Sequence, residues 1–121
     1  MFNWFKKKEN TKTESENGPD FSRITSKSKA VDLYKKGELV QVHLMALEFG
    51  GEDSERNILY VPEFAKVFKQ RFDKMIEELL IDGKKLGYSA EPEYKGKSFV
   101  PSKLKIVVTG EAEFIETINI W

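Results

Sequence analysis

The residues best suited to chemistry are acids in the segment ALEFGGEDSERNILYVP, residues 46–62. Carboxylate oxygens are the ligands that calcium and magnesium prefer. The spacing of these acids differs from the Asp-x-Asp-x-Asp-Gly pattern of a calcium-binding loop, and the 121-residue chain has no second histidine to help hold a transition metal. We therefore expect a solvated acidic loop that holds no metal or other cofactor.

Covalent catalysis requires a nucleophile beside a base, and the chain offers few candidates. It has no cysteine, no Gly-x-Ser-x-Gly elbow and one histidine, His43, which falls in a predicted strand. An imidazole there is more often a packed or half-exposed side chain than a catalytic base. We expect no enzyme. A carboxylate-based enzyme stays open as an alternative, because the separation of two carboxylates is a property of the fold.

Nucleic-acid and phosphate binding find little support. Gly50 and Gly51 are followed by acids, which repel phosphate. The segment EYKGKSFVPSKLK, residues 93–105, mixes Tyr94 and Phe99 with lysines, as single-strand nucleic-acid binders do. Lysines on sheet edges also block aggregation, and a formal net charge of zero provides no general attraction to nucleic acid. We therefore expect no nucleic-acid partner.

The charge pattern favours a protein partner instead. Between Ala46 and Glu63 there are five acids and one arginine, whereas residues 94–105 are basic. Acids speed the encounter with a basic protein, and an exposed Phe49 among them would add a desolvated contact. We therefore expect a basic protein to bind at Glu48, Phe49, Glu52, Asp53 and Glu55.

The elements on either side of the acidic loop follow from hydrophobic periodicity. Ser26 is placed to cap a helix that ends at Gly37. Alternation over residues 39–47 predicts a strand, and residues 57–61 predict a second, which together form a hairpin with an enlarged loop. Pro62 suits the first position of a long helix that ends at Gly83. We expect its apolar stripe to form core and to cover the sheet: Phe64, Val67, Phe68, Phe72, Met75, Ile76 and Leu79.

Three further strands are predicted after this helix. Pro92 marks the first as an edge strand or an irregular arm. Residues 103–110 and 112–121 form the other two, with a tight connection at Gly110 and Glu111. The order α-β-β-α-β-β-β predicts an α+β domain with an antiparallel sheet of about five strands, covered on one face by the long helix.

The chain divides into a predicted flexible tail, residues 1–22, and a single domain, residues 23–121. Phe2, Trp4 and Phe5 beside three lysines could touch an anionic membrane, but this is one weak attachment, so we expect no stable membrane association. No apolar run approaches the roughly 20 residues that span a bilayer. Without signal-peptide features in MFNWFKKKEN, the expected location is the cytoplasm.

Several segments resemble a known group of proteins: LYKKGELVQVHLMALEFGGED, NILYVPE, EYKGKSFVPSKLKI and the closing ETINIW. Across Leu33 to Trp121 the chain is similar to small, largely uncharacterised bacterial proteins associated with the immunity proteins of polymorphic toxin systems. The resemblance implies a non-enzymatic cytoplasmic protein that occludes a toxin domain, often a nuclease, by surface complementarity. It transfers no functional residues, and the neutral charge departs from a typical acidic immunity protein.

A second class of function is a structural or regulatory module that associates with itself through sheet edges. Ile118, Ile120 and Trp121, near the end of the last predicted strand, are its candidate contacts. The sequence leaves a monomer and a weak homodimer both open.

Overall fold

The computed structural model describes residues 19–121, along which the elements follow the predicted order α-β-β-α-β-β-β. The predictions of a tail and of membrane contact for residues 1–18 lie outside the described residues. Phe21, which the sequence places in the tail, packs on the domain. Its ring meets the Trp121 ring edge to face at 6.1 Å between centroids, and its carbonyl accepts a hydrogen bond from Ser98 Oγ at 2.7 Å.

The first helix and the hairpin form as predicted, with a shorter first strand. Helix α1 spans Lys27–Lys35, and Ser26 Oγ caps it by accepting from the Lys29 amide. Strands β1 (Val40–His43) and β2 (Ile58–Val61) pair antiparallel, with Val40 opposite Val61. Where the ladder ends, the Asn57 side chain replaces its main-chain hydrogen bonds. The Asn57 Oδ1 accepts from the Met45 amide and the Nδ2 donates to the Met45 carbonyl, each at 2.9 Å.

Helix α2 spans Glu63–Ile81, and Gly83, at φ 87°, follows its end. It packs on the sheets as predicted, but the prediction that its apolar stripe is core is wrong for four of seven residues. Phe64, Val67, Phe68 and Met75 are each about two-fifths exposed. The buried line contains Ala65, Lys69 and Ile76. Ala65 and Lys69 each follow a stripe residue by one position, whereas Ile76 belongs to the stripe, so the buried face lies toward one side of the predicted stripe and overlaps it.

The last three strands form a second sheet. Strands β3 (Leu86–Glu93), β4 (Lys103–Gly110) and β5 (Phe114–Asn119) pair antiparallel in the order β3-β4-β5. The strand that contains Pro92 lies at an edge, as predicted. Residues 111–113 connect β4 to β5, a longer turn than the tight one expected. The five predicted strands are therefore all present, divided between a two-stranded and a three-stranded sheet.

The main core lies between α2 and the inner faces of both sheets, which confirms the α+β class. Strand β4 contributes Leu104, Ile106 and Val108, at most 2% exposed, because alternate residues of a strand share one face. Ile118 and Ile120 join the same cluster at 4% and 3% exposure. Their side chains hold the core together and are not available as the self-association contacts that the sequence suggests.

A smaller cluster joins α1 to the outer side of the hairpin. Ala30, Leu39, Tyr60 and Val100 form it, all buried. In the part of the chain that the structure describes, no helix is long and apolar enough to cross a membrane.

Candidate functional site

The acidic loop, residues 46–57, has a defined conformation that two residues impose. Asn57 Nδ2 donates to the carbonyls of Met45 and Glu52, at 2.9 and 2.7 Å, which ties the two ends of the loop together. Gly51 passes so close to the Met45 carbonyl that any Cβ there would collide with it. The loop is therefore a fixed platform, and its acids project from it.

Three of the predicted contact residues lie on the solvent side of this platform. The side chains of Glu52, Asp53 and Glu55 are 63%, 76% and 79% exposed. Each has a basic side chain of the same chain beside it: Arg56 at 3.2 Å from Glu52, His43 Nε2 at 3.3 Å from Asp53, and Lys27 at Glu55. Exposed ion pairs contribute only about 0–1 kcal/mol, so a partner's cations can replace these at small cost.

The arrangement of these acids bears on metal binding. Among residues 19–121, no group of three or more His, Cys, Asp or Glu side chains is placed to hold a metal ion. Glu52, Asp53 and Glu55 are exposed, and each lies in a local pair with a basic side chain. What the loop can do chemically is to attract and pair with cations on another molecule.

Phe49 does not take the exposed position that the sequence suggests. A 3-10 turn, Leu47–Phe49, directs the Phe49 ring toward the main core, where it is half-buried. Leu47, 44% exposed, is the apolar side chain that the loop presents to solvent. The turn ends at Gly50, whose φ of 93° lies in the left-handed region that favours glycine. Sequence spacing alone does not distinguish them.

Beneath the loop lies a groove of about 720 Å³, between β1 and one face of α2. Strand β1 and residues 46–49 form one wall, and Tyr34 of α1 also lines the groove. The helix wall consists of residues at 3–4 residue spacing, which places them on one side of α2: Lys66, Gln70, Asp73, Lys74 and Glu77. The size is in the range of about 300–1,000 Å³ typical of ligand sites. Glu48 lines this groove and is therefore part of both the acidic loop and the groove.

The groove meets the free edge of β1. Strand β1 pairs only with β2, so its other side forms no ladder with residues that the structure describes. The outer side of β2 is different: Tyr60 is only 7% exposed, and the Tyr34 ring of α1 packs on it edge to face. One edge of the hairpin is therefore covered and the other opens into the groove.

A buried ion pair supports the helix wall. Lys69 is 1% exposed, and its Nζ donates to both carboxylate oxygens of Asp73 at 2.8 Å while lying 5.6 Å from the centroid of the Tyr88 ring. Burial lowers the pKa of Lys69 and raises the pKa of Asp73, and the hydrogen bond between them opposes both shifts. Because Asp73 is committed to Lys69, it is held as an ion-pair partner and not as a free acid or base.

The sequence interpretation missed this pair. Lys69 and Asp73 stand four residues apart, a spacing equally common on exposed helix faces. The available signal was that Lys69 shares a helical line with Ala65, Phe72 and Ile76. A lysine within such an apolar line is a candidate for burial with a paired acid.

The basic segment, residues 93–105, has local partners for its charges. Lys103 and Lys105 of β4 lie opposite Glu93 and Glu91 of β3, and Lys95 Nζ lies 5.0 Å from the centroid of the Trp121 ring. Opposite charges across two strands stabilise the pairing. This arrangement favours the interpretation of the lysines as part of the sheet surface.

No protein-family model matches the chain, and a comparison with curated proteins finds no match. The candidate site therefore depends on its geometry alone.

Proposed function

We propose that this chain is a non-enzymatic protein-binding domain that takes a basic protein partner at the acidic loop and the groove beneath it. The observation that carries the proposal is a loop of exposed acids, held by Asn57, whose residues 46–49, Glu48 among them, line a groove large enough for part of another protein. Acids on the rim speed the encounter, and Leu47 and the groove supply the area that is desolvated on contact.

The resemblance to immunity proteins supplies a specific form of this proposal, in which the partner is a toxin domain and the site of action is the cytoplasm. An immunity protein acts by occlusion, so it needs a complementary surface and no catalytic group. The site fits that requirement, because its loop acids are paired locally and Asp73 is committed to Lys69.

The test begins with the proteins encoded beside this chain's gene. Each is produced, and its binding to the full chain is measured by calorimetry at low and high salt. We expect a basic neighbour to bind, and Glu52→Ala with Asp53→Ala to weaken binding about five- to tenfold at low salt, because each exposed pair is worth up to about 1 kcal/mol. The same variant should show a smaller salt dependence.

The matched control removes the same charge elsewhere. Glu113 and Glu116 are exposed acids of the β4–β5 hairpin that do not line the groove. Replacing both with alanine should leave the affinity unchanged. Equal affinity of the loop variant and the wild type for a bound partner would remove the acidic loop from the site. A toxic neighbour whose growth defect persists when this chain is co-expressed would contradict the immunity form.

A second candidate function, self-association, has one observation in its favour. The face of α2 that carries Phe64, Val67, Phe68 and Met75 is partly exposed, and exposed apolar faces mark many interfaces. Sedimentation over a concentration series tests it. A protein that remains monomeric at the highest concentration excludes self-association, whereas a dimer that Phe68→Lys dissociates would establish it.

A further inference from the structure

The free edge of β1 opens into the groove, and we propose that the partner enters as an extended peptide that adds a third strand to the β1–β2 hairpin, with a basic side chain beside Glu48 and Glu77. This inference rests on the proposed function, because it specifies how a basic partner is held. Strand addition is a general mode of peptide recognition in which main-chain hydrogen bonds supply affinity and neighbouring pockets supply selectivity.

The register of the hairpin identifies the main-chain groups that are available. The Leu44 amide donates to the Asn57 carbonyl at 2.9 Å, which makes Leu44 and Asn57 a hydrogen-bonded pair. Such pairs alternate along an antiparallel ladder, so Val42 and Val40 are also bonded to β2. The amides and carbonyls of Gln41 and His43 therefore point to the other side.

Those outward groups have no partners in the described part of the chain. Within residues 19–121, the main-chain N–H and C=O of Gln41 and His43 form no hydrogen bond, while both residues line the groove. Their side chains are used elsewhere: Gln41 Nε2 donates to the Tyr60 hydroxyl at 3.3 Å, and His43 lies beside Asp53. Two donors and two acceptors are thus presented in a row, at the spacing that a peptide strand matches.

The lengths of the two walls agree with a short extended peptide. Strand β1 has four residues, which extend over roughly 13 Å at about 3.3 Å per residue. Along α2, the lining residues run from Lys66 to Glu77, which corresponds to roughly 17 Å at about 1.5 Å per residue. Both walls therefore accommodate a segment of about four or five residues.

The other strand edges are less suited to this role, and one of them, the outer edge of β5, contributes no residue to the groove. The outer side of β2 lies under α1, as the buried Tyr60 shows. The outer strand β3 contains Pro92, which has no N–H to donate. The free edge of β1 combines intact donors with a cavity beside them.

Charge determines the chemistry of the peptide. Glu48 and Glu77 are exposed, line the groove, and have no ion-pair partner within residues 19–121. Asp73 also lines the groove but is held by Lys69, and the helix wall contributes Lys66 and Lys74 as well. An arginine or lysine of the peptide pairs with Glu48 or Glu77 where it lies beside them and away from these two lysines, and the valine–serine probe described below tests that placement.

The probe is an acetylated, amidated hexapeptide of alternating valine and arginine, mixed with the full chain at low salt. Amide hydrogen exchange followed by NMR gives the first readout. We expect the amides of Gln41 and His43 to slow at least about tenfold on binding, since they gain acceptors, and those of Val40 and Val42 to change little, since they are already bonded to β2.

Two modified probes give the second readout. Alternate residues of a strand direct their N–H groups to the same side, so methylating the valine nitrogens removes one row of donors and methylating the arginine nitrogens removes the other. One analogue should lose at least about tenfold in affinity and the other should retain it. In the protein, Gln41→Pro, which removes an outward N–H, should weaken binding more than Gln41→Ala, which removes the same side chain and keeps the N–H. Circular dichroism of both variants verifies that the fold is kept.

The outcomes separate this inference from the proposed function. Unchanged exchange at Gln41 and His43, equal affinity of both methylated analogues, or no binding of the probe overturns strand addition. The proposed function then still stands if a basic neighbour binds and the Glu52→Ala with Asp53→Ala variant weakens it. If a valine–serine hexapeptide bound as tightly as the valine–arginine hexapeptide, a basic side chain would not determine selectivity. That result would also contradict the proposal that the partner is basic.

Discussion

Replacing Asp73 with asparagine should destabilise the protein more than replacing its partner Lys69. Lys69 is 1% exposed, so its ammonium depends on the two 2.8 Å bonds to Asp73 for its charge to be compensated. An amide offers no charge, and removing one member of a buried pair costs about 3–5 kcal/mol. That is a fifth or more of the unfolding free energy of a marginally stable domain, which lies at about 5–15 kcal/mol.

The reciprocal change should cost less. Lys69→Met keeps the length of the side chain and removes the buried charge, and it leaves Asp73, whose side chain is 19% exposed at the groove, within reach of water. We expect a loss of about 1–2 kcal/mol for this variant. The double variant, Lys69→Met with Asp73→Asn, should fall within about 1 kcal/mol of the wild type, because neutral replacements remove the desolvation cost of both ions.

The pH dependence has a definite sign. Burial raises the pKa of Asp73 above its ordinary 3.8, so its contribution to stability declines as pH rises from 3.8 through the folded pKa. Burial lowers the pKa of Lys69 below its ordinary 10.5, so its contribution increases as pH rises from the folded pKa to 10.5. In Asp73→Asn the carboxylate is absent, so only the lowered pKa of Lys69 acts on stability, and it is lowered further without the hydrogen bond to Asp73. The difference in unfolding free energy between this variant and the wild type should therefore narrow as pH rises toward 10.5.

The assay is urea unfolding followed by circular dichroism, at neutral pH and again as the pH approaches 10.5. It measures the unfolding free energy of the wild type, the two single variants and the double variant. The ordering of the two single variants is the decisive result. If Lys69→Met were the more destabilising, or if Asp73→Asn cost less than about 1 kcal/mol at neutral pH, the pair would have to be solvated, and the reasoning from a buried ammonium would be refuted.

Two further predictions concern the loop and its support. Gly51→Ala should cost about 3 kcal/mol in unfolding free energy, because its Cβ meets the Met45 carbonyl. Gly50→Ala should cost about 1 kcal/mol, because the space around Gly50 is open but its φ of 93° disfavours a side chain. Similar losses for the two variants would contradict the close approach at Gly51. Tyr88→Phe removes the 2.6 Å hydrogen bond from the tyrosine hydroxyl to the Leu44 carbonyl and should cost about 1–1.5 kcal/mol in the same assay, while an unchanged midpoint would show that water replaces the bond.

Local signals were sufficient for the elements themselves. Strand β4 has the predicted bounds, since Leu104, Ile106 and Val108 occupy alternate positions and Gly110 follows them. The cap at Ser26 was also identified correctly, because capping depends on a few neighbouring residues. Such features are encoded within a turn or a strand, so a single sequence is enough to identify them.

The orientation of elements required information that is not local. In α2, Phe64 and Phe68 indicate one face and Ala65 and Ile76 indicate another, and periodicity cannot decide which one meets the sheets. The orientation depends on contacts between helix and sheet, such as that of Lys69 with the Tyr88 ring of β3. For the same reason the sequence predicts an exposed Phe49, although its ring packs against the main core.

The candidate site illustrates how an unpaired strand edge can be kept without exposing it to uncontrolled pairing. A free edge is a template for aggregation, and proteins usually cover it, shorten it or interrupt it with proline. Strand β2 is covered by α1 and β3 contains Pro92, whereas β1 is only four residues long and is recessed beside α2. A wide sheet edge of another protein cannot enter a groove of about 720 Å³, but a single extended segment can. The proposed mode of recognition uses this recessed edge, and the outward amides of Gln41 and His43 are the atoms on which it depends.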